Sequence, residues 1–311
     1  MNAPALDERA RLTRGAALAS IAMAVFLVTL KVWAAWQTGS TAMLGSLADT
    51  GLDLVASIAT LVGVWVAAQP ADADHRFGHG KAEALAAIFQ VMLIAVSAAG
   101  IAYRSINHLA TGYATSAAGE GIAVSVIAIV ATFALLAWQR YVIRRTGSLA
   151  IRTDNVHYKS DLFLNLAVIA ALVLDQYLGF AQADPLFGLG IALWLAWGAW
   201  QAASEAVDHL MDREWPEERR EAFLEVLKHH PEIRGAHDLR TRTSGMHDFV
   251  QFHMAVDPRL TVAEAHNLMD EVEAMLAREF PGVEVLIHPD PEGLINEEGV
   301  AAEELLPERE G

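Results

Sequence analysis

Six long apolar stretches, roughly residues 15–37, 43–68, 81–109, 118–142, 149–178 and 184–210, constrain this chain more than anything else in it. Each holds the about 20 mostly apolar residues that a helix needs to cross a bilayer. Turn formers or charges bound them, among them Gly39, Ser40, Pro70, Gly112, Gly147 and Pro185. Backbone in lipid must satisfy its own hydrogen bonds, so such runs fold as helices, and six together predict an all-α membrane bundle. A hydrophobic share of 54% in 311 residues fits that fold and not a soluble one. The first stretch follows Arg9, Arg11 and Arg14 as the core of a signal peptide would, but its length and the spans behind it predict a retained helix.

The basic residues orient the bundle. They gather in the N-terminal segment, around Arg76 and Lys81 after the second span, and at Arg140, Arg144, Arg145 and Arg152 around the fourth connection. Positive charge stays on the cytoplasmic side, so both termini are predicted there. Residues 1–14 then form a cytoplasmic segment and 15–211 the spans. From Asp212 the composition turns charged and mixed, and most of the acidic excess behind the net charge of −16 lies beyond Glu205. A soluble cytoplasmic domain is predicted over 212–292, and an acidic, disordered tail over 293–311.

Inside that domain a helix is predicted over 217–229, with strands over 236–243 and 248–256 meeting at Ser244 and Gly245. Thr261 caps a helix reaching 280, with Glu264 completing a capping box, and a third strand covers 283–288. This order predicts a two-layer α+β domain of ferredoxin-like form, with its helices on one face of the sheet.

Charges appear where lipid should forbid them. The second span carries Asp49 and Asp53, and the fifth carries His157 and Asp161. A carboxylate at the bilayer centre costs roughly 3 kcal/mol. Both pairs are spaced four apart, which stacks the side chains on one helix face about 6 Å apart. Counted at 1.5 Å per residue from the span ends, Asp53 and His157 both fall near the midplane. Three carboxylates and one imidazole suit four-coordinate Zn²⁺, and Fe²⁺, Cd²⁺ and Co²⁺ also fit. The chain has no cysteine, so thiolate ligands are excluded. Interhelical hydrogen bonding, pairing with Lys31 or Lys159, and a proton relay without metal are the other readings of the same residues.

Two further groups have ligand chemistry. Asp72, His75 and His79 share the short connection after the second span, where Gly78 and Gly80 permit a tight path; a solvated polar loop accounts for them equally well. In the soluble domain Val250, Phe252, Met254 and Val256 alternate onto the core face of a strand, which leaves His253 on the other face. His237, His266, His288 and Asp290 lie on other elements and are open either to convergence or to being scattered surface residues. His108, His209, His229, His230 and His247 match no ligand pattern. Lys81 and Asp212, at the inner ends of the third and sixth spans, are placed to pair at the membrane surface.

With Asp49-x-x-x-Asp53, His157-x-x-x-Asp161, the run PADADHRFGHGKAE over 70–83 and HDLRTR over 237–242, the chain resembles the cation diffusion facilitator family from about residue 11 to 291. The likeness is greatest to the bacterial branch that exports ferrous iron and zinc. The resemblance implies a homodimeric metal/proton antiporter whose transport site is Asp49, Asp53, His157 and Asp161. It implies a peripheral metal at Asp72, His75 and His79, although Ala73 stands where related sequences often carry an acid. It also implies a two-metal site at His237, His253, His266, His288 and Asp290 near the dimer contact, with Asp290 able to bridge, and a hinge at Lys81 and Asp212. Asp49, where zinc-selective members carry His, implies Zn²⁺ with Fe²⁺ and Cd²⁺ also accepted.

Loading such a site displaces protons, and His157, with Asp161 beside it, is the natural coupling group because an ordinary imidazole titrates near pH 6.5. The absence of a long His-rich run between the fourth and fifth spans points to a bacterial inner membrane. A metallohydrolase is disfavoured by the lack of a His-Glu-x-x-His run or a nucleophile elbow, and a non-transporting metal sensor is the other alternative. The expectation is a secondary transporter, not an enzyme, with the bilayer, metal ions and protons as partners and no organic cofactor or nucleic acid.

Overall fold

The computed structural model describes residues 3–38, 41–111, 121–178, 182–228, 230, 233, 235–245, 247–293 and 304–306. Gly39, Ser40, Gly112, His229 and the expected start of the fourth span at 118 lie outside these residues. Six helices come first: α1 (Ala3–Thr38), α2 (Thr41–Ala67), α3 (Ala82–Thr111), α4 (Gly121–Thr146), α5 (Leu149–Leu178) and α6 (Ala183–Leu210). Helix α1 starts well before the apolar stretch it was expected to match, so the arginine-bearing segment is helical too. Pro4 falls in its first turn, where the missing N–H costs nothing, and strong helix formers fill the interval to Gly15.

Among the described residues five helical stretches are long and apolar enough to cross a membrane. Helix α5 is not among them, and its first half carries Arg152, Asp154, Lys159 and Asp161. Asp154 is accommodated in the bundle interior, where Ile151 and Tyr158 are also fully buried, while Arg152 is exposed and pairs with Glu205. Around it the helices pack through small side chains. Ala16, Ala17, Val64, Val142, Ala150 and Ile151 make one buried cluster, and Ile94, Ala98, Leu195 and Ala199 join α3 to α6 in another. Lipid tails are as apolar as leucine, so close backbone approach drives this packing. At Gly63 of α2 a Cβ would overlap the Cβ of Ala86 on α3. The large apolar side chains instead face outward, Val96, Val130, Leu193 and Trp200 all being exposed.

Residues 8–207 form one compact unit, and residues 208–311 with 1–7 form the second. The second holds α7 (Glu217–Lys228), β1 (Gly235–Ser244), β2 (His247–Val256), α8 (Val262–Glu279), β3 (Val283–Pro291) and β4 (Glu304–Leu306). The sheet order is β3-β2-β1-β4; β1 and β2 are antiparallel, and β2 and β3 parallel. Alternation along β2 buries Val250, Phe252, Met254 and Val256 as expected. Phe223 and Leu227 of α7 and Leu268, Val272 and Leu276 of α8 pack against them. Thr261 caps α8 and Glu264 completes the box, its carboxylate accepting the Thr261 N–H at 2.8 Å. Within 293–311, residues 304–306 form β4, paired antiparallel to β1.

Candidate metal centres

The turn between α4 and α5 sets where the histidine of α5 falls. Gly147 takes a left-handed conformation, φ 67°, and its N–H closes α4 onto the Ile143 carbonyl at 2.8 Å. Ser148 follows as the cap of α5. Buried Glu83 of α3 accepts from Ser148 Oγ at 2.8 Å and from the Leu149 N–H at 3.1 Å. One carboxylate thus ties the start of α5 to α3. Glu83 stands out in the sequence only as an acid in the first turn of a helix.

Two turns further along, His157 meets α2. Its Nε2 lies 2.9 Å from Asp53 Oδ1 and 3.9 Å from Asp161 Oδ2. Ligand atoms of Asp53, His157 and Asp161 all fall within 4.8 Å of one another. Asp161 Oδ2 is buried and has no hydrogen-bond partner among the described residues, an open acceptor that a cation would satisfy. Asp49 stands on α2 one turn before Asp53, and its side chain lies outside the described residues. Lys31 Nζ donates to Thr50 Oγ1 at 2.5 Å.

Beside this trio sits a buried polar network that the sequence reading missed. Asp154, 0% exposed, accepts from Ser20 Oγ at 2.6 Å, Gln139 Nε2 at 2.7 Å and Gln90 Nε2 at 3.1 Å. Tyr158 donates to the Ser20 carbonyl at 2.9 Å and meets Ser57 Oγ at 3.0 Å. Side chains of α1, α2, α3 and α4 all reach α5 here. The available signal was a carboxylate three residues before His157 in a membrane-length helix, with glutamines in two other spans.

The loop after α2 closes on itself. Asp72 accepts the backbone N–H groups of His75 at 2.6 Å and Asp74 at 3.0 Å. Its two oxygens lie 3.3 Å from His75 Nδ1 and 3.3 Å from His79 Nε2. The His75 N–H above all holds the Asp72 carboxyl below its ordinary value of 3.8. Of the two glycines, Gly78 takes the positive φ, 76°.

In the C-terminal unit Asp290 at the end of β3 gathers three imidazoles. Its Oδ2 is 2.8 Å from His253 Nδ1 and 3.2 Å from His237 Nε2, and its Oδ1 is 3.3 Å from His288 Nε2. Parallel register places His253 beside His288, and antiparallel register places it beside His237. His266 stands apart within the single chain, exposed on α8 and 3.4 Å from Asp270. Asp238 was missed: it sits at φ 48° in the irregularity of β1, is held by Arg240 at 3.0 Å, and lies 3.7 Å from His253 Nε2. Lys81 precedes α3 in one unit, while Asp212 in the other has φ 55° and lies 3.8 Å from Arg242.

Residues 17–211 match the family profile described as the cation efflux transmembrane domain, and 215–292 match that of the cation efflux protein, cytoplasmic domain. The chain is 44% identical over 285 residues to the cation-efflux pump FieF of Klebsiella pneumoniae, covering 92% of this chain and 95% of that protein. It is 43% identical over 288 residues to FieF of Serratia proteamaculans, covering 93% and 96%. The figure for the Escherichia coli protein of the same name is 42% over 289 residues, with the same coverage of 93% and 96%.

Proposed function

Because the chain belongs to the cation efflux family, we propose that it exports Zn²⁺, with Fe²⁺ and Cd²⁺ also accepted, in exchange for protons at Asp49, Asp53, His157 and Asp161. It is a multi-pass membrane transporter and not an enzyme. The observation that carries the proposal is the convergence of Asp53, His157 and Asp161, from two helices, within a bundle of apolar spans.

The donor set gives the chemistry. Carboxylates and a neutral imidazole bind a divalent ion; protonated, they do not. A cation arriving from the cytoplasm displaces protons from His157 and Asp161. When the site opens outward to a more acidic medium, protons return and the ion leaves. Rocking of helices around the site exposes it to each side in turn, so inward proton flow drives metal outward. Fe²⁺ and Cd²⁺ are accommodated because an oxygen-rich set discriminates weakly among these ions.

In this reading both termini are cytoplasmic, the membrane is the bacterial inner membrane, and the working form is a homodimer. Asp290 bridges metal held by His237, His253 and His288, and His266 joins that set through the dimer contact. The bound metal is either a structural staple or a sensor of cytoplasmic metal. Asp72, His75 and His79 hold a peripheral ion, and Lys81 with Asp212 forms a hinge between bundle and soluble domain.

The test is transport by purified protein in sealed vesicles. Zn²⁺ should accumulate only when a pH gradient is imposed, and dissipating the gradient should abolish uptake. Metal flux indifferent to the gradient would rule out antiport, and stoichiometric binding without accumulation would favour a sensor.

A further inference from the structure

Asp154 is a wholly buried carboxylate that the transport reading leaves without a role. It lies on α5 three residues before His157. Every hydrogen bond it makes is one it accepts: Ser20 Oγ and Gln139 Nε2 donate to Oδ2, and Gln90 Nε2 donates to Oδ1. Both amide nitrogens spend their two hydrogens, Gln139 on Asp154 and Ser20, Gln90 on Asp154 and Thr60. That arrangement suits the ionised carboxylate, which only accepts.

The same cluster holds an acceptor with no donor. Gln90 Oε1 is buried and has no hydrogen-bond partner among the described residues. Gln90 itself is 1% exposed. An orphaned buried carbonyl is costly unless a second arrangement uses it. Such an arrangement exists. If a proton from water adds to Asp154 Oδ1, the new O–H needs an acceptor, and half a turn of the Gln90 amide brings Oε1 to it. The Thr60 hydroxyl, which now donates to the Ala56 carbonyl, can then turn to the same oxygen. Ser20 and Gln139 keep donating to Oδ2 in both states. The cage therefore suits either state of the carboxyl: donors alone face it when charged, and turning the Gln90 amide supplies an acceptor for the neutral acid while its Nε2 gives up Asp154 and Thr60.

We propose that Asp154 is a proton-binding site, separate from His157 and Asp161, that gains and loses a proton during the transport cycle. The inference rests on the antiport reading above. The titratable groups that act on Asp154 are His157, Tyr158 and Asp161 of its own helix. From α1, α3 and α4 it meets the neutral Ser20, Gln90 and Gln139, and α2 reaches it through Thr60, with Asp53 on the far side of His157. A negative charge one turn from His157 attracts the cation, and neutralising it weakens that hold. Proton uptake at Asp154 thus promotes metal release, the sign that antiport requires.

The experiment uses full-length protein in vesicles with Zn²⁺ as the probe. Flux is measured against pH for the wild type, Asp154→Asn and Ser20→Ala, alongside infrared difference spectra of the carboxyl C=O band. Ser20→Ala removes one donor to the charged form, so its profile should move about one pH unit to the alkaline side. Asp154→Asn should remove one step of the pH profile and the matching infrared band, and lower flux at alkaline pH about tenfold. Unchanged profiles in both variants, or a band that persists in Asp154→Asn, would overturn the proposal. If Asp154→Asn fails to assemble, Ser20→Ala and the wild-type infrared titration decide the matter. A wild type that moves no Zn²⁺ sinks the transport reading, while the infrared titration, which needs no flux, still decides whether Asp154 binds a proton.

Discussion

Asp53 of α2 and His157 of α5 are 104 residues apart in the chain, yet their Oδ1 and Nε2 atoms are 2.9 Å apart in space. Asp161, one turn beyond His157, turns toward the same point with a buried oxygen that has no partner among the described residues. Ionisable groups are brought together inside apolar helices at a cost, which a bound cation offsets.

Replacing His157 by Ala or Asp53 by Asn should therefore reduce Zn²⁺ flux by at least about 100-fold, since losing an outer-shell contact alone costs 10–100-fold. The measurement is initial uptake into vesicles at fixed pH gradient. Near-normal flux in either variant would mean that the ion does not pass through this trio.

In the C-terminal unit Asp290 touches all three imidazoles, so Asp290→Asn should weaken Zn²⁺ binding there about 10–100-fold. His266, exposed and turned to Asp270, should matter only in the dimer. Calorimetric titration of the two variants, read against oligomeric state, separates these effects. Equal losses in monomer and dimer for His266→Ala would contradict the dimer-contact assignment.

Asp72 sets a pH expectation for the loop. Its carboxyl is held below the ordinary 3.8 by the His75 N–H, so the folded pKa is depressed. The turn is fully stabilised above the ordinary value and loses that stabilisation only as pH falls through the lower one. The His75 amide resonance should thus titrate with a midpoint under 3.8. Asp72→Asn, which keeps an acceptor but loses the charge, should weaken metal binding while preserving the turn.

Phe223 is fully buried and its ring stands 6.2 Å from Trp215, 5.9 Å from Phe252 and 5.3 Å from Phe280. Phe223→Ala should cost about 3–5 kcal/mol by lost transfer energy and a residual cavity. Denaturant titration followed by tryptophan fluorescence would show it, with helix content of the bundle left intact. A shift below about 1 kcal/mol would mean that the core collapses around the gap.

How much of this was legible beforehand depends on the range of the interactions involved. The spans, the alternation along β2 and the capping box at Thr261 are written in local spacing, because helix and strand periodicity put residues three, four or two apart on a common face. The i, i+4 pairs were visible for the same reason. Glu83, Asp154 and Asp238 were not. Glu83 caps a helix 66 residues away, Asp154 is caged by side chains from three other helices directly and a fourth through Gln90, and Asp238 faces His253 through a strand irregularity. Nothing in their immediate neighbours announces such partners.

The sequence by itself determined that this chain enters a membrane, where its spans run, and which residue types are available to hold a metal, since hydropathy and ligand chemistry belong to single residues and short windows. Tertiary structure alone decided which of those residues meet. It joined Asp53 to His157, bound three imidazoles to Asp290, left His266 apart in the single chain and enclosed Asp154. Contacts between distant segments follow from how helices and strands pack, and packing is fixed by the fit of whole surfaces rather than by any local pattern.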